Sequence, residues 1–203
     1  MPGTKFNPSG GLRSSRVRGG ARNPEALNRY RIANNFSGNI FKGDAVALNT
    51  ANGTITQVSG TGAGATNRAA GVFQGCTYVD PITRRPTWSN MYLAGVSAAE
   101  GQPQALVIDN PDQTFIIQAD ASVTVGDIGL NFDVSLNQGS SFTQTSGFLL
   151  RAASRTAGAA LLRLVDIYEV PGNALAPDTS VTDAFPFVEV QWNQHRTAFT
   201  SAA

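Results

Sequence analysis

Residues that could carry nucleophilic catalysis are scarce in this chain of 203 residues, which has one cysteine, Cys76, and one histidine, His195. A hydrolase needs a nucleophile, a base and a group that orients the base. A Cys76–His195 pair would meet that need only in part, and we expect a buried structural thiol and a surface histidine instead. The stretch around Ser97 lacks the second glycine of a nucleophile elbow. The sequence therefore predicts that the protein is not an enzyme.

Two further patterns could bind a ligand. The glycines at 60, 62 and 64 have the composition of a phosphate loop, but their spacing is wrong and no Lys-Ser or Lys-Thr follows them. Oxygen ligands for Ca²⁺ could come from Asp109, Asp112, Asp120, Asp127 and Asp133. Their spacing fits no EF-hand loop, and a single cysteine excludes a cysteine-ligated zinc site and an internal disulfide. We expect no cofactor and no bound metal.

Positive charge is concentrated at the N-terminal end. Seven of the fifteen Lys and Arg residues precede residue 32, against one acid, while residues 32–203 hold eight bases and thirteen acids. The formal net charge of +1 therefore divides into +6 and −5. A segment so rich in Gly, Ser and Arg cannot fold alone, so we expect it to lie on a partner. The predicted contact residues are Arg13, Arg16, Arg18, Arg22, Arg29 and Arg31, with Leu27 and Tyr30 as apolar anchors.

Two classes of partner could order such an arm. If all seven bases met phosphates, the log–log slope of affinity against salt would approach about −6. On an acidic protein surface, the arginine side chains would instead bind carboxylates in a bidentate manner. A basic tail without a specific partner is the third interpretation. Within the arm, the cap residue and proline of Asn23-Pro24 predict one short helix over residues 23–28.

From residue 39 the sequence is typical of β-structure, because short runs of Val, Ile, Phe and Thr alternate with Gly, Asn and Asp. Asn52-Gly53 predicts a tight type I′ hairpin between residues 45–48 and 54–58. Further strands are predicted at residues 70–79, 105–108, 114–118, 161–170 and 186–192. In the last of these, Val188, Val190 and Trp192 should face a core, and Glu189, Gln191 and Asn193 should face outward.

These patterns predict an all-β fold. We expect a β-barrel or β-sandwich body over residues 39–203, with two sub-lobes at 39–80 and 100–203 as one possibility, and an extended, largely irregular N-terminal arm over residues 1–38. No stretch is apolar enough to span a membrane and no secretory signal is present, so we expect synthesis in cytosol-like conditions and no membrane partner.

Candidate interface residues also occur in the body. A proline-punctuated loop carries Arg84 and Arg85 and is followed by Trp88. Charged residues make up only 14% of the chain. That is well below the roughly 25% usual in soluble domains, and it suits a surface that is covered by other proteins.

Several short segments occur in a characteristic order: residues 40–46 (IFKGDAV), 52–55 (NGTI), 71–78 (GVFQGCTY), 109–115 (DNPDQTF), 118–120 (QAD) and 127–131 (DIGLN). In that order they resemble tailed-bacteriophage structural proteins of the head decoration or cement type. The resemblance implies a non-enzymatic protein that docks, as a dimer or trimer, on the outer surface of the capsid between major capsid protein subunits. It also implies a place on the virion surface after synthesis in the host cytoplasm. The arm lies outside the resemblance, so its contact with capsid protein is inferred from charge and position.

Two other functions fit parts of the sequence. A viral coat protein could direct a basic arm inward to packaged nucleic acid, but the bases here are spread thinly among Pro, Gly and Asn, so we do not expect a nucleic-acid partner. A ligand-binding or carbohydrate-binding β-barrel could use Trp88, Tyr92 and Trp192 as a stacking platform. Of these functions, we predict that of a capsid decoration protein.

Overall fold

A computed structural model describes residues 10–18, 27–58, 68–168 and 184–196, and its regular structure is almost entirely β. The strands are β1 (Arg13–Val17), β2 (Leu27–Arg31), β3 (Ile40–Phe41), β4 (Ala45–Asn49), β5 (Thr54–Gln57), β6 (Ala69–Val79), β7 (Pro86–Ser89), β8 (Met91–Tyr92), β9 (Gln104–Ile108), β10 (Gln113–Gln118), β11 (Asn131–Ser135), β12 (Leu149–Thr156), β13 (Leu162–Ile167) and β14 (Phe187–Trp192). A single 3₁₀ turn, Val125–Asp127, is the only helical element in the described ranges. The predicted all-β class is confirmed.

Five strands close into a barrel in the order β4, β5, β2, β9 and β6, with β6 pairing back to β4. The pairs are antiparallel except β2 with β5, which are parallel and meet at Arg31 and Thr54. Closure leaves the barrel without a free sheet edge. Its interior is filled by apolar side chains that include Val46, Phe73 and Val107. Of the two predicted bodies, the barrel is therefore present.

A second, six-stranded antiparallel sheet packs against the barrel in the order β1, β10, β14, β13, β11 and β12. Its inner face forms a larger core with side chains from the outside of the barrel wall, including Ala45 and Val72. Successive residues of a strand point to opposite faces, so Val46 lies inside the barrel while Ala45 lies in the larger core. The barrel strands β4 and β6 are thus buried on both faces.

The predicted orientation of β14 is confirmed for its apolar side. Its three apolar residues, Val188, Val190 and Trp192, belong to the larger core. Glu189 points to the opposite face but is also buried, because other side chains cover it.

The last described residues join the two sheets. The Ala69 N–H donates to the Gln194 carbonyl at 3.1 Å, and the Arg196 N–H donates to the Ala69 carbonyl at 2.9 Å. Between them, His195 is only 1% exposed and its ring lies beside that of Trp192. The prediction of a surface histidine was wrong, because this short pairing draws the chain into the crevice between the barrel and the second sheet.

The predicted hairpin is confirmed, but its predicted turn is not. Residues 50–53 form a four-residue connection in which Gly53 alone has a left-handed φ, of +69°. The Asn52 backbone is not in the left-handed region, and its side chain accepts a hydrogen bond from the Thr54 N–H at 3.1 Å. Side-chain bonding of this kind lets asparagine build a longer turn.

The prediction of an irregular arm with a helix was wrong for the described part of residues 1–38. β1 pairs with β10, and β2 pairs with β9 over its whole length. Residues 23–26 of the predicted helix lie outside the described residues, and Leu27 and Asn28 are in β2. The physical reason is long-range, since β9 and β10 offer unpaired backbone groups that a local helix would leave unsatisfied. Within the described ranges, no helix is long and apolar enough to cross a membrane.

Candidate functional site

Arg16, a predicted partner contact, is engaged within the chain. It lies on the edge strand β1 and reaches across β10 to Glu189 of β14. Its Nε donates to Glu189 Oε1 at 3.0 Å and its Nη2 donates to Oε2 at 2.7 Å. Thr114 Oγ1 lies 2.7 Å from the same Oε1. Glu189 is only 6% exposed, so Arg16 supplies the charge partner of a nearly buried carboxylate.

Two more arginines, Arg13 of β1 and Arg18 directly after it, lie along the same face of β14. The Arg13 guanidinium carbon is 5.0 Å from the centre of the Phe187 ring, and Arg18 Nη1 donates to Gln191 Oε1 at 3.0 Å. Their partners alternate along β14, as the outward face of one strand requires. These three arginines therefore contact the chain's own second sheet, through one acidic, one aromatic and one amide side chain.

The predicted contacts on β2 divide into two faces. Leu27, Arg29 and Arg31 are exposed and alternate along the strand, so they share the outer face of the barrel. Tyr30 points the other way, and its hydroxyl donates to Asp109 Oδ2 at 2.6 Å. Partial burial, which is the larger cause, and the hydrogen bond to Asp109 together raise the pKa of Tyr30 to about 12. Tyr30 is therefore an internal anchor, and of the predicted contacts on β2 the other three are open to a partner.

The remaining arm residue, Arg22, lies outside the described residues and stays a prediction. So does Lys5, the other base of the predicted arm in that position.

The hairpin of β6 and β7 carries the predicted body contacts. Residues 81–86 at its end are all exposed, which includes Arg84 and Arg85. Trp88 pairs with Thr77 across the hairpin and is 49% exposed. Its indole lies on the backbone at Gly75, where an added Cβ would be 2.5 Å from the ring. The structure thus brings these three predicted residues together on one hairpin.

Sequence reasoning missed two exposed apolar residues. Ile82, at the end of the same hairpin, is 90% exposed, and Phe142, between β11 and β12, is 95% exposed. The segment around Phe142 is held by the bridge between Ser140 and Thr145. The available signal was a large apolar residue inside a run of turn-forming or small polar residues, at Pro81-Ile82 and at Ser141-Phe142.

The side chains considered for catalysis are buried and have structural partners. Burial raises the pKa of Cys76 to about 12, and its thiol donates to the Met91 carbonyl at 3.5 Å. Burial also lowers the pKa of His195, whose Nε2 lies 3.2 Å from the Ala70 carbonyl. The Cys76 thiol is therefore protonated at neutral pH, which is the state of a structural cysteine.

Four of the five aspartates considered as metal ligands accept hydrogen bonds or form an ion pair within the fold, and Asp133 accepts one from the Leu161 N–H at 3.2 Å. Asp109 accepts a hydrogen bond from the Tyr30 hydroxyl, and Asp120 accepts one from the Ala152 N–H at 2.8 Å. Asp127 forms an ion pair with Arg155 at 2.9 Å. Across the described ranges, no three His, Cys, Asp or Glu side chains form a metal-binding group. The glycine loop at residues 60–64 lies outside those ranges.

Comparison of the chain with protein-family models, with curated proteins and with solved structures gives no match. A proposal of function must therefore rest on the contacts and exposed residues above, together with the sequence resemblance.

Proposed function

We propose that this chain is a capsid decoration or cement protein. It would bind the outer surface of a phage head, without catalysis, and stabilise contacts between major capsid protein subunits as a dimer or trimer. The observation that carries the proposal is the group of exposed apolar side chains beside free positive charge on the β6–β7 hairpin. Ile82 and Trp88 are exposed there next to Arg84 and Arg85, and tryptophan and arginine are enriched in the centres of protein interfaces.

The architecture suits a protein that is pressed between rigid subunits. The closed barrel and the second sheet share one wall, so neither can move without disturbing a buried core. A decoration protein gains affinity when several lattice subunits present one composite site. A rigid body whose contact residues are already ordered can bind such a site with little loss of conformational entropy.

The proposed role of the N-terminal residues is narrower than the sequence alone predicts. Arg13, Arg16 and Arg18 contact β14 of the same chain. Among the described N-terminal residues, capsid contact falls to the exposed face of β2, with Leu27, Arg29 and Arg31. We retain the major capsid protein as the proposed partner.

A coat protein with an inward, nucleic-acid-binding arm is the alternative, and internal engagement of three arginines weighs against it. A salt titration of binding to double-stranded DNA separates the two. The coat alternative predicts a log–log slope near −6, from seven phosphate contacts. The decoration proposal predicts a slope no steeper than about −2 and weak binding at physiological salt.

The direct experiment is co-sedimentation of the purified chain with capsids prepared without it. We expect saturable binding at a fixed copy number per capsid, and greater resistance of the decorated capsid to heat. Absence of binding to intact capsids would overturn the proposal.

A further inference from the structure

We infer that the end of the β6–β7 hairpin, residues 80–88, is a preformed docking tip that inserts Ile82 into an apolar pocket on a partner protein whose rim is acidic. The inference rests on the proposed function, because the partner surface is that of the capsid lattice. It goes further by naming Ile82 as the inserted side chain and by stating the chemistry of the surface that receives it.

The docking tip is ordered by its own hydrogen bonds. Asp80 Oδ1 accepts from the N–H groups of Ile82 at 2.8 Å and Thr83 at 2.7 Å. The backbone of Asp80 also pairs with Arg84 at 3.0 Å and with Arg85 at 2.9 Å. The two N–H groups that bond to Asp80 also lower the pKa of its carboxyl. A loop fixed in this way loses little conformational freedom on binding.

The docking tip holds apolar surface in solvent without an internal use. Ile82 is 90% exposed, so it contributes almost nothing to either core of the fold. Trp88 lies against the strand at Gly75 and leaves about half of its surface exposed. Large apolar side chains on a rigid loop favour insertion into a pocket, since their burial supplies free energy that the folded monomer does not use.

Charge identifies the kind of surface that would receive the docking tip. Arg84 and Arg85 are exposed and form no ion pair with any described residue. The single acid of the docking tip, Asp80, directs its carboxylate at its own backbone. A partner must therefore supply carboxylates around the pocket, which arginine can bind in a bidentate manner.

A lipid surface would also attract apolar and basic side chains, but the geometry favours a protein. Ile82 is the one large apolar side chain among the exposed residues 81–86, because Trp88 lies in β7 opposite Thr77. The net charge of residues 80–88 is +1, from two arginines and one aspartate. Stable membrane attachment requires a larger apolar face or several more bases.

The test compares binding of wild-type and variant chains to capsids that lack this protein. Ile82→Ser removes the apolar anchor, and a second variant, Arg84→Ser with Arg85→Ser, removes the charges. Because all three side chains are exposed, both variants should keep the wild-type melting temperature. We expect each to weaken binding at least about tenfold.

Matched controls make the same chemical changes elsewhere on the surface. Phe142→Ser removes the other almost fully exposed large apolar side chain, and Lys42→Ser with Arg163→Ser removes two exposed bases. Each control should bind within about twofold of wild type. If the Ile82 and arginine variants also bind within twofold, the docking tip is refuted while the decoration function stands. If the wild-type chain does not bind capsids, both proposals fail.

A photo-crosslinker placed at residue 82 gives a second measurement on decorated particles. We expect crosslinks to one capsid-protein segment that contains both apolar and acidic residues. Crosslinks to packaged DNA would overturn the inference. So would binding of the chain to vesicles of phosphatidylcholine and phosphatidylserine that Ile82→Ser abolishes.

Discussion

At the scale of single residues, Asp44 is the most unusual group in the body. It is fully buried where β3 meets β4, and its Oδ2 accepts from the Phe41 N–H at 2.8 Å and from the Gln57 side chain. Its Oδ1 is among the buried atoms with no hydrogen-bond partner in the described residues. Burial raises the pKa of Asp44 to about 6, so the fold favours the neutral acid.

This burial predicts a loss of stability as the pH rises. A group whose pKa is raised in the folded state contributes fully below its unfolded value of 3.8 and loses that contribution as the pH passes through about 6. At about 1.4 kcal/mol per pKa unit, the loss is about 3 kcal/mol. Urea unfolding from pH 4 to pH 8 should show Asp44→Asn gaining stability on wild type by roughly this amount. Parallel pH profiles for the two proteins would contradict the assignment.

The pair of Arg16 and Glu189 predicts a different kind of effect. Arg16→Ala leaves a nearly buried carboxylate without its charge partner, and since the arginine itself is largely exposed we expect a destabilisation of about 1–2 kcal/mol. Arg18→Ala, which removes only one exposed hydrogen bond, is the control and should change stability by less than about 0.5 kcal/mol. Equal midpoints of urea unfolding for the two variants would show that the pair is not structural.

At the scale of elements, local patterns predict those strands whose partners are close in sequence or whose faces differ. The hairpin at residues 45–57 follows from alternation around Asn52-Gly53, and the core face of β14 follows from Val188, Val190 and Trp192. β1 and β2 could not be predicted this way. Their basic, small and polar residues resemble a linker, and only the distant strands β9 and β10 make them part of a sheet.

The hairpin tip was partly predictable. Arg84, Arg85 and Trp88 could be selected by residue type, because arginine and tryptophan are enriched in interfaces. The exposure of Ile82 could not, since an isoleucine beside a proline is as easily buried as exposed. The sequence also could not show which arginines bond within the chain, because Glu189 lies more than 170 positions from Arg16.

Strand β2 predicts the outcome of an N-terminal deletion. Removal of residues 1–31 takes away β1 of the second sheet and β2, one of the five barrel strands, and exposes the edges of β5 and β9. We expect the shortened chain to lose cooperative thermal unfolding. The double variant Arg29→Ser with Arg31→Ser keeps the strand and changes only exposed side chains, so it should melt like wild type. A shortened chain with the wild-type melting temperature would refute this role of β2.

At the scale of the whole molecule, polar and charged side chains of the second sheet bond within the chain, whereas those of one hairpin are exposed to solvent. The second sheet engages the arginines of β1, and the shared barrel wall is buried on both faces. The β6–β7 hairpin, by contrast, extends beyond the barrel with apolar and basic residues facing solvent. A rigid body with exposed binding residues at one end is suited to binding a repeating protein surface.

The measurement that tests the central claim most directly is a cryo-EM map of particles that carry this chain. We predict density for the barrel and the second sheet on the outer face of the capsid, at junctions between major capsid protein subunits, with Ile82 and its neighbouring arginines in contact with the shell. Density on the inner face against packaged nucleic acid, or a docked body whose β6–β7 hairpin points into solvent, would contradict the account.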